Sequence, residues 1–325
     1  MPLDEFTLIK RYFEQCGSVT SCPEGAAGVV VGIGDDCAIL RLAAQEEMVI
    51  TTDTLVAGVH FPEQADPAQI AHRALRVNIS DIAAMGAQPQ WFLLALTLPE
   101  ADQNWLEDFS RGLSEVADEY NCRLVGGDTT RGPLAITISA LGSVPEGGGL
   151  VRSGAQSGDI VFVTGSLGDA AAGLAVIEGR SAATNTEYLL KRYWHPSPRV
   201  SEGLVLRDYA SAAIDISDGV LADLGHIVRA SGVGGEIALD SLPLSRSLIE
   251  AVGREDAIAL ALSAGDDYEL CFTVPPDKVG GLEEKISEGL LVAQAIGRIV
   301  PGSGLICVDA AGQAIDIVDV GYRHF

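Results

Sequence analysis

Apolar residues recur at three- and four-residue steps in some stretches of the chain and form short unbroken runs in others, and the two patterns alternate. From Pro67 to Met85, the positions Ile70, Ala74, Leu75, Ile79, Ile82 and Ala83 share one helical face, and Gly86 supplies the stop. Helices are also predicted over Phe6 to Gln15, Asn104 to Tyr120 and Ala170 to Ile177. Runs at Val29 to Ile33, Met48 to Thr52, Trp91 to Leu98, Arg123 to Val125, Leu134 to Val144 and Ile160 to Thr164 read as strands. The turn-prone stretch from Pro145 to Gly149 interrupts this order and marks a boundary. The expected organisation is an α/β (α+β) chain with domains 1–148 and 149–325, the first rich in strands with two long helices.

Composition narrows the classes. A length of 325 residues suits about two domains at roughly 100–200 residues each. The 47% hydrophobic content and mean hydropathy of +0.25 exclude disorder as the main state. With 45 acidic and 21 basic residues the formal net charge is −24. Lacking any Lys/Arg-rich run, the chain is expected to bind neither nucleic acid nor a membrane surface, both of which need clustered positive charge. Cys16, Cys22, Cys37, Cys122, Cys271 and Cys307 form no C-x-x-C pair, so a zinc ribbon or a thioredoxin-like motif is not expected. The N-terminus lacks the basic start and apolar core of a signal peptide, and no apolar run reaches the ~20 residues that span a bilayer. The expected address is cytoplasmic.

Candidate chemistry lies in aspartates at or near the ends of apolar runs. Asp35 and Asp36 follow Val29 to Gly34, Asp53 follows Val49 to Thr52, Asp128 follows Leu124 to Gly127, and Asp215 and Asp218 follow Ala212 to Ile214. Asp81 is inside the long predicted helix, after Asn78 and Ser80. One such acid most often caps a helix or starts a turn. Seven of them, several beside glycine or hydroxyl residues, suit Mg²⁺, a hard cation that takes one or two carboxylates and completes its shell with water and substrate phosphates. Glycines at Gly32-Ile33-Gly34, Gly126-Gly127 and Gly165-Ser166-Leu167-Gly168 read as turns that let backbone N–H groups approach an anion. No G-x-x-x-x-G-K-[ST], full dinucleotide fingerprint or G-x-S-x-G elbow is present. Of the five histidines, His60, in a loop after Asp53, stands out. Arg131, Arg152, Lys191, Arg192 and Arg199 are candidates for phosphate contacts, against the ordinary alternative of surface arginines and lysines.

Longer motifs go further. Gly32-Ile33-Gly34-Asp35-Asp36-Cys37-Ala38, Thr52-Asp53-Thr54-Leu55-Val56-Ala57-Gly58-Val59-His60-Phe61, Asn78-Ile79-Ser80-Asp81-Ile82-Ala83-Ala84-Met85-Gly86 and Gly126-Gly127-Asp128-Thr129-Thr130 occur in that order. Asp215-Ile216-Ser217-Asp218-Gly219 and Gly265-Asp266-Asp267-Tyr268-Glu269-Leu270 follow. Together, from about Phe6 to Tyr322, the chain resembles the thiamine-monophosphate kinase family, within the aminoimidazole-ribonucleotide-synthetase-like ATP enzymes. That resemblance implies an N-terminal ferredoxin-like domain that pairs with its twin as a homodimer barrel, and a C-terminal α/β domain closing the site. It implies transfer of the ATP γ-phosphoryl group to thiamine monophosphate. Carried onto this sequence, Asp36, Thr51, Thr52, Asp53, Asp81, Asp128, Asp215 and Asp218 would bind Mg²⁺, with Asp53, Asp128 and Asp218 central to catalysis. Asp36, Gly127, Asp128, Arg152 and Ser217 would contact ATP, and His60, Asp266 and Tyr322 the thiamine side. Thr51 replaces a Ser that can occur there, and Asp266 a Glu, one methylene longer. The rivals are another enzyme of the same superfamily, such as selenophosphate synthetase, whose early reactive Cys/Lys loop is not evident here, and a silent cation-binding protein.

Overall fold

In a computed structural model of the protein, the described residues are 5–14, 16, 28–34, 36–181, 183 and 186–315. Tyr322 and Asp35 lie outside them. The chain divides into two compact units, Met1–Ile82 with Ala87–Gly148, and Ala83–Gly86 with Gly149–Phe325.

The first unit contains α1 (Glu5–Tyr12), β1 (Gly28–Val31), β2 (Ile39–Arg41), β3 (Glu46–Val56), α2 (Pro67–Ala84), β4 (Gln88–Leu98), α3 (Gln103–Glu119), β5 (Arg123–Arg131) and β6 (Ala135–Pro145). Helix α2 forms where the apolar period requires it: Ile70, Ala74, Leu75, Ile79, Ile82 and Ala83 are all at most 1% exposed. Asp66 caps its start by accepting the N–H groups of Ala68 and Gln69. Asp102 does the same for α3 through Trp105 N–H at 2.8 Å. The two helices approach closely at Gly112, where an added Cβ would lie 2.7 Å from the Ala68 carbonyl oxygen.

Strand order is β3-β6-β4-β5. β3 and β6 pair antiparallel over their full lengths, from Glu46 opposite Pro145 to Val56 opposite Ala135, while β4 and β5 run parallel at the far edge. With the ferredoxin-like plan this unit shares a four-stranded sheet carrying two helices, here connected strand-helix-strand-helix-strand-strand. Leu94, Leu96, Ile136 and Ile138 bury one face. On the other, Ile50 is 60% exposed, and Met48 and Leu93 are also exposed.

The predicted turn at Gly126-Gly127 is instead the middle of β5, and Asp53 and Asp128 are inside strands rather than just past them. Pairing with β6 and β4 carries both strands beyond the apolar runs that announced them.

The second unit holds β7 (Ile160–Thr164), α4 (Asp169–Ile177), α5 (Glu187–Trp194), α6 (Val200–Leu206), β8 (Ala212–Asp215), α7 (Val220–Ser231), β9 (Gly234–Ala238), α8 (Arg246–Val252) and α9 (Arg254–Ser263). β10 (Leu270–Val274), α10 (Pro276–Ser287), β11 (Ala293–Val300), β12 (Gly304–Val308) and β13 (Ala314–Ile315) complete it. Its seven-stranded sheet has the order β13-β12-β9-β11-β7-β10-β8. Alternation along β7 sends Val161 and Val163 into a core with Leu224 and Ile227 of α7, and Phe162 into a second core with Leu206 of α6 and Leu282 of α10. Phe162 stacks on Phe272, with ring centroids 5.6 Å apart. Helices on both sheet faces make this an α/β layer structure.

Two glycines test this packing with opposite signs. Gly112→Ala forces a methyl into the Ala68 backbone and is expected to cost about 1–3 kcal/mol. Gly280→Ala, on α10 with nothing within 4 Å of the new Cβ, is expected to gain about 0.5–1 kcal/mol. Urea unfolding midpoints that move in these directions satisfy both expectations.

Candidate active site

In the first unit, β3 presents Thr51 and Asp53 to α2. The Thr51 hydroxyl donates to Asp81 Oδ2 at 2.6 Å. The Asp53 N–H donates to Asn78 Oδ1 at 3.1 Å, and buried Asn78 is itself anchored by its amide to the Ala74 carbonyl. The three-residue spacing of Asn78 and Asp81 thus puts both on the helical face that meets alternate residues of the strand. Burial, and secondarily the Asp81 carboxylate, push Asp53 up to about 6. Facing acids of this kind, with a hydroxyl oxygen beside them, fit a hard divalent cation whose charge would relieve the repulsion. Thr52 points the other way and shares a hydrogen bond with Ser139 at 2.8 Å.

His60 Nδ1 accepts the Val56 N–H at 3.0 Å. An accepting Nδ1 fixes the proton of the neutral ring on Nε2.

Beyond these residues a cavity of about 820 Å³ is lined by Gly34, Asp36, Cys37, Gly126, Gly127 and Asp128, among others. Gly127 is obligatory there: its φ is +152°, and an added Cβ would lie 1.8 Å from the Leu94 carbonyl oxygen. The sheet register sets Asp53, Ile138, Leu94 and Gly127 in one row across the four strands. Asp128 belongs to the next row, with Thr54, Thr137 and Ala95, on the opposite face. Three interstrand steps separate Asp53 from Asp128, roughly 14 Å at about 4.8 Å each. Asp36, Gly127 and Asp128 therefore come together, as do Thr51, Asp53 and Asp81, but within one chain Asp53 does not meet Asp128.

In the second unit β8 ends at buried Asp215, and the loop Ile216-Ser217-Asp218-Gly219 leads into α7. Asp223, on the first turn of that helix, accepts the Ser217 and Asp218 N–H groups at 3.1 and 3.0 Å. Burial, with the Asp218 charge beside it, pushes Asp223 up to about 7, and the Arg152 charge acts in the opposite direction. Ser217 also accepts the Asp266 N–H through its carbonyl at 2.9 Å. Arg152, Ser217, Asp218 and Asp266 are thus neighbours. Among the described residues no three of His, Cys, Asp and Glu close a ready-made metal cage. An ion such as Mg²⁺ draws much of its shell from phosphates and water instead.

The chain matches the AIR synthase related protein N-terminal domain over residues 34–144 and the C-terminal domain over 156–309. It is 47% identical to thiamine-monophosphate kinase of Escherichia coli (strain K12), across 100% of this chain and 99% of that one. The crystal structure of thiamine-monophosphate kinase from Stenotrophomonas maltophilia K279a superposes with a TM-score of 0.82 at 46% identity, covering 88% and 92% of the two chains. AaThiL complexed with AMPPCP and TMP superposes at 0.77 with 33% identity, covering 90% and 92%.

The chain belongs to the thiamine-monophosphate kinase family.

Against the sequence of this family member, the structure corrects two expectations. The Gly165–Gly168 turn is not open to an anion, because Gly168 N–H is donated to the Asp267 carboxylate at 2.8 and 3.0 Å and Leu167 N–H to the Pro243 carbonyl. Arg192 and Arg199 are not phosphate contacts either, since both are bound to Glu269 in the interior of the second unit. Arg131 is exposed and donates to the Pro99 carbonyl. Sequence reasoning missed Asp223, whose only signal is an acid five residues after Asp218 on the buried side of an amphipathic helix.

Asp223 gives a pH test. Its folded value, about 7, exceeds the ordinary 3.8, so between these values the native state holds a proton that the unfolded chain has lost. Stability then falls as pH rises from about 4 to about 7, by on the order of 4 kcal/mol. In metal-free buffer Asp223→Asn is expected to remove that share of the slope, so that urea unfolding shows variant and parent diverging in the variant's favour up to pH 8. Parallel curves contradict the assignment.

Proposed function

We infer that the chain transfers the γ-phosphoryl group of ATP to thiamine monophosphate, yielding thiamine diphosphate and ADP, the last step in making that cofactor. Full-length identity of 47% to a thiamine-monophosphate kinase carries the inference, and the Thr51, Asp53, Asp81 donor set supports it.

The nucleophile is a phosphate oxygen that is already ionised, so no general base is required. This accords with a site made of carboxylates and hydroxyls rather than paired histidines. Positioning and charge stabilisation do the rest, and transfer is direct and in line. Asp36, Thr51, Thr52, Asp53, Asp81, Asp128, Asp215 and Asp218 would hold several Mg²⁺ ions, which supply positive charge to the phosphates when bound. Asp36, Gly127, Asp128, Arg152 and Ser217 bind ATP; the bare backbone at Gly127 lets a phosphate approach the strand. His60 and Asp266 orient the thiamine moiety, together with Tyr322, and His60 offers a ring N–H. Asp53, Asp128 and Asp218 are the acids on which turnover depends most.

The enzyme acts as a homodimer. Two features support this: the exposed apolar residues Met48, Ile50 and Leu93 on one sheet face, and the placement of Asp53 and Asp128 on opposite faces of that sheet. Two copies would supply one substrate pair with both acids. The reaction belongs to the cytoplasm, and no helix among the described residues is long and apolar enough to cross a membrane.

Purified protein given ATP, Mg²⁺ and thiamine monophosphate is expected to form thiamine diphosphate, resolved by chromatography, and to form none without metal. Asp53→Asn and Asp128→Asn should each lower kcat by about 10²-fold or more. Neither should lower the melting temperature, since removing the Asp53 charge relieves a repulsion and Asp128 is exposed. Full activity of both variants at saturating Mg²⁺ would overturn the metal assignment, and product from an aminoimidazole precursor alone would overturn the substrate.

A further inference from the structure

The segment Gly265 to Glu269 has an unusual backbone. Asp266 and Tyr268 have φ of +64° and +50°, in the left-handed region that side-chain-bearing residues seldom occupy. Such a conformation persists only where its surroundings over-determine it. Three sets of contacts do so. Asp266 N–H and Tyr268 N–H donate to the carbonyls of Ser217 and Ile216 at 2.9 and 2.8 Å. The Asp267 carboxylate receives Gly168 N–H, as described above. Arg192, 7% exposed, donates through Nη2 to the Asp267 carbonyl at 3.2 Å and to Glu269 Oε1 at 2.8 Å, joining the backbone of the loop to the acid that follows it.

Glu269 is a firm anchor. It is fully buried and receives Arg199 Nε at 2.5 Å, Arg199 Nη2 at 2.7 Å and the Thr164 hydroxyl at 2.6 Å. The far end of the loop is held differently: the Tyr268 hydroxyl donates to Asp266 Oδ1 at 3.2 Å. One contact set therefore fixes the backbone on either side of Asp266, and another fixes its carboxylate.

We propose that Arg192 and Tyr268 are positioning residues for the substrate-side carboxylate of Asp266, Arg192 by clamping the left-handed loop to Glu269 and Tyr268 by orienting the acid. The proposal rests on the assignment of Asp266 to thiamine recognition. Arg192 is placed to do this because its Nη2 alone donates to both the Asp267 carbonyl and Glu269 Oε1, a position that the ammonium of a lysine, one bond nearer the backbone, does not reach. The nucleotide side is coupled to the same loop through Ser217, whose carbonyl Asp266 holds, so the clamp aligns the two substrates' contacts in this unit.

The test compares Arg192→Lys, Tyr268→Phe and a control, Leu282→Ala, which opens a cavity in a core whose members include none of Arg192, Asp266, Tyr268 and Glu269. Arg192→Lys should raise KM for thiamine monophosphate about tenfold, with kcat changed far less. It should also accelerate hydrogen exchange of the Asp266 and Tyr268 amides in the ligand-free protein. Tyr268→Phe removes one hydroxyl and keeps the proposal open to refutation if Arg192→Lys does not fold; it should raise the same KM several-fold and leave amide exchange unchanged. Leu282→Ala should lower the melting temperature without moving either readout. Unaltered KM in both loop variants, or equal changes in the control, would overturn the proposal. If the parent protein makes no thiamine diphosphate, the functional assignment fails, and the exchange experiment alone decides whether Arg192 clamps the loop.

Discussion

Negative charge held at close quarters is the constraint on which the rest of this structure depends. The chain has a formal net charge of −24, yet its chemistry requires two phosphate-bearing molecules to meet among aspartates. Asp53 and Asp81 face one another between a strand and a helix, and Asp223 is buried beside Asp218. In each pair burial, together with the neighbouring carboxylate, raises the proton affinity of one member. A protein selected only for stability would replace such pairs with apolar groups; keeping them accords with the proposed binding of metal and phosphate, which would stabilise the liganded state.

The scaffold answers that demand with rigid elements. Thr51, Asp53 and Asp128 are held in strands, Asp81 on a helix whose apolar face is fully buried, and Asp215 at a strand end. The loops at Ser217 and Asp266 are braced from several sides. The Ser217 loop is pinned by the Asp223 carboxylate and by the Asp266 segment, which in turn is tied to a buried Arg192–Glu269–Arg199 cluster. Rigidity of this sort matters where catalysis is mostly placement, because a small displacement of a phosphate contact costs rate without any change in chemistry.

Much of this was legible in the sequence, and the exceptions have physical causes. Helix α2 was fixed by its apolar period and its terminal glycine, and the acids near apolar runs do gather into groups. The extent of β5 was not legible, because Gly126-Gly127 looks like a turn until the Leu94 carbonyl is seen to occupy the space of a side chain. The Gly165–Gly168 turn looked like an anion cradle, but an acid ~100 residues away in sequence fills it, and no local pattern reports such a partner. Arg192 and Arg199 looked like phosphate contacts or surface cations for the same reason: their partner, Glu269, is distant in the chain. The face on which each acid lies was also hidden, since alternation along a strand gives two faces but not which one the helices cover.

That last point bears on how one site is assembled, for Asp53 and Asp128 stand on opposite faces of the same sheet. The most direct measurement is subunit mixing. Asp53→Asn and Asp128→Asn chains with different tags, coexpressed and purified as the mixed species, are assayed for thiamine diphosphate formation. If one site takes Asp53 from one copy and Asp128 from the other, the purified mixed dimer returns about half of wild-type activity, because each such dimer holds one intact site of two. Activity no greater than the sum of the two parent variants would contradict the account.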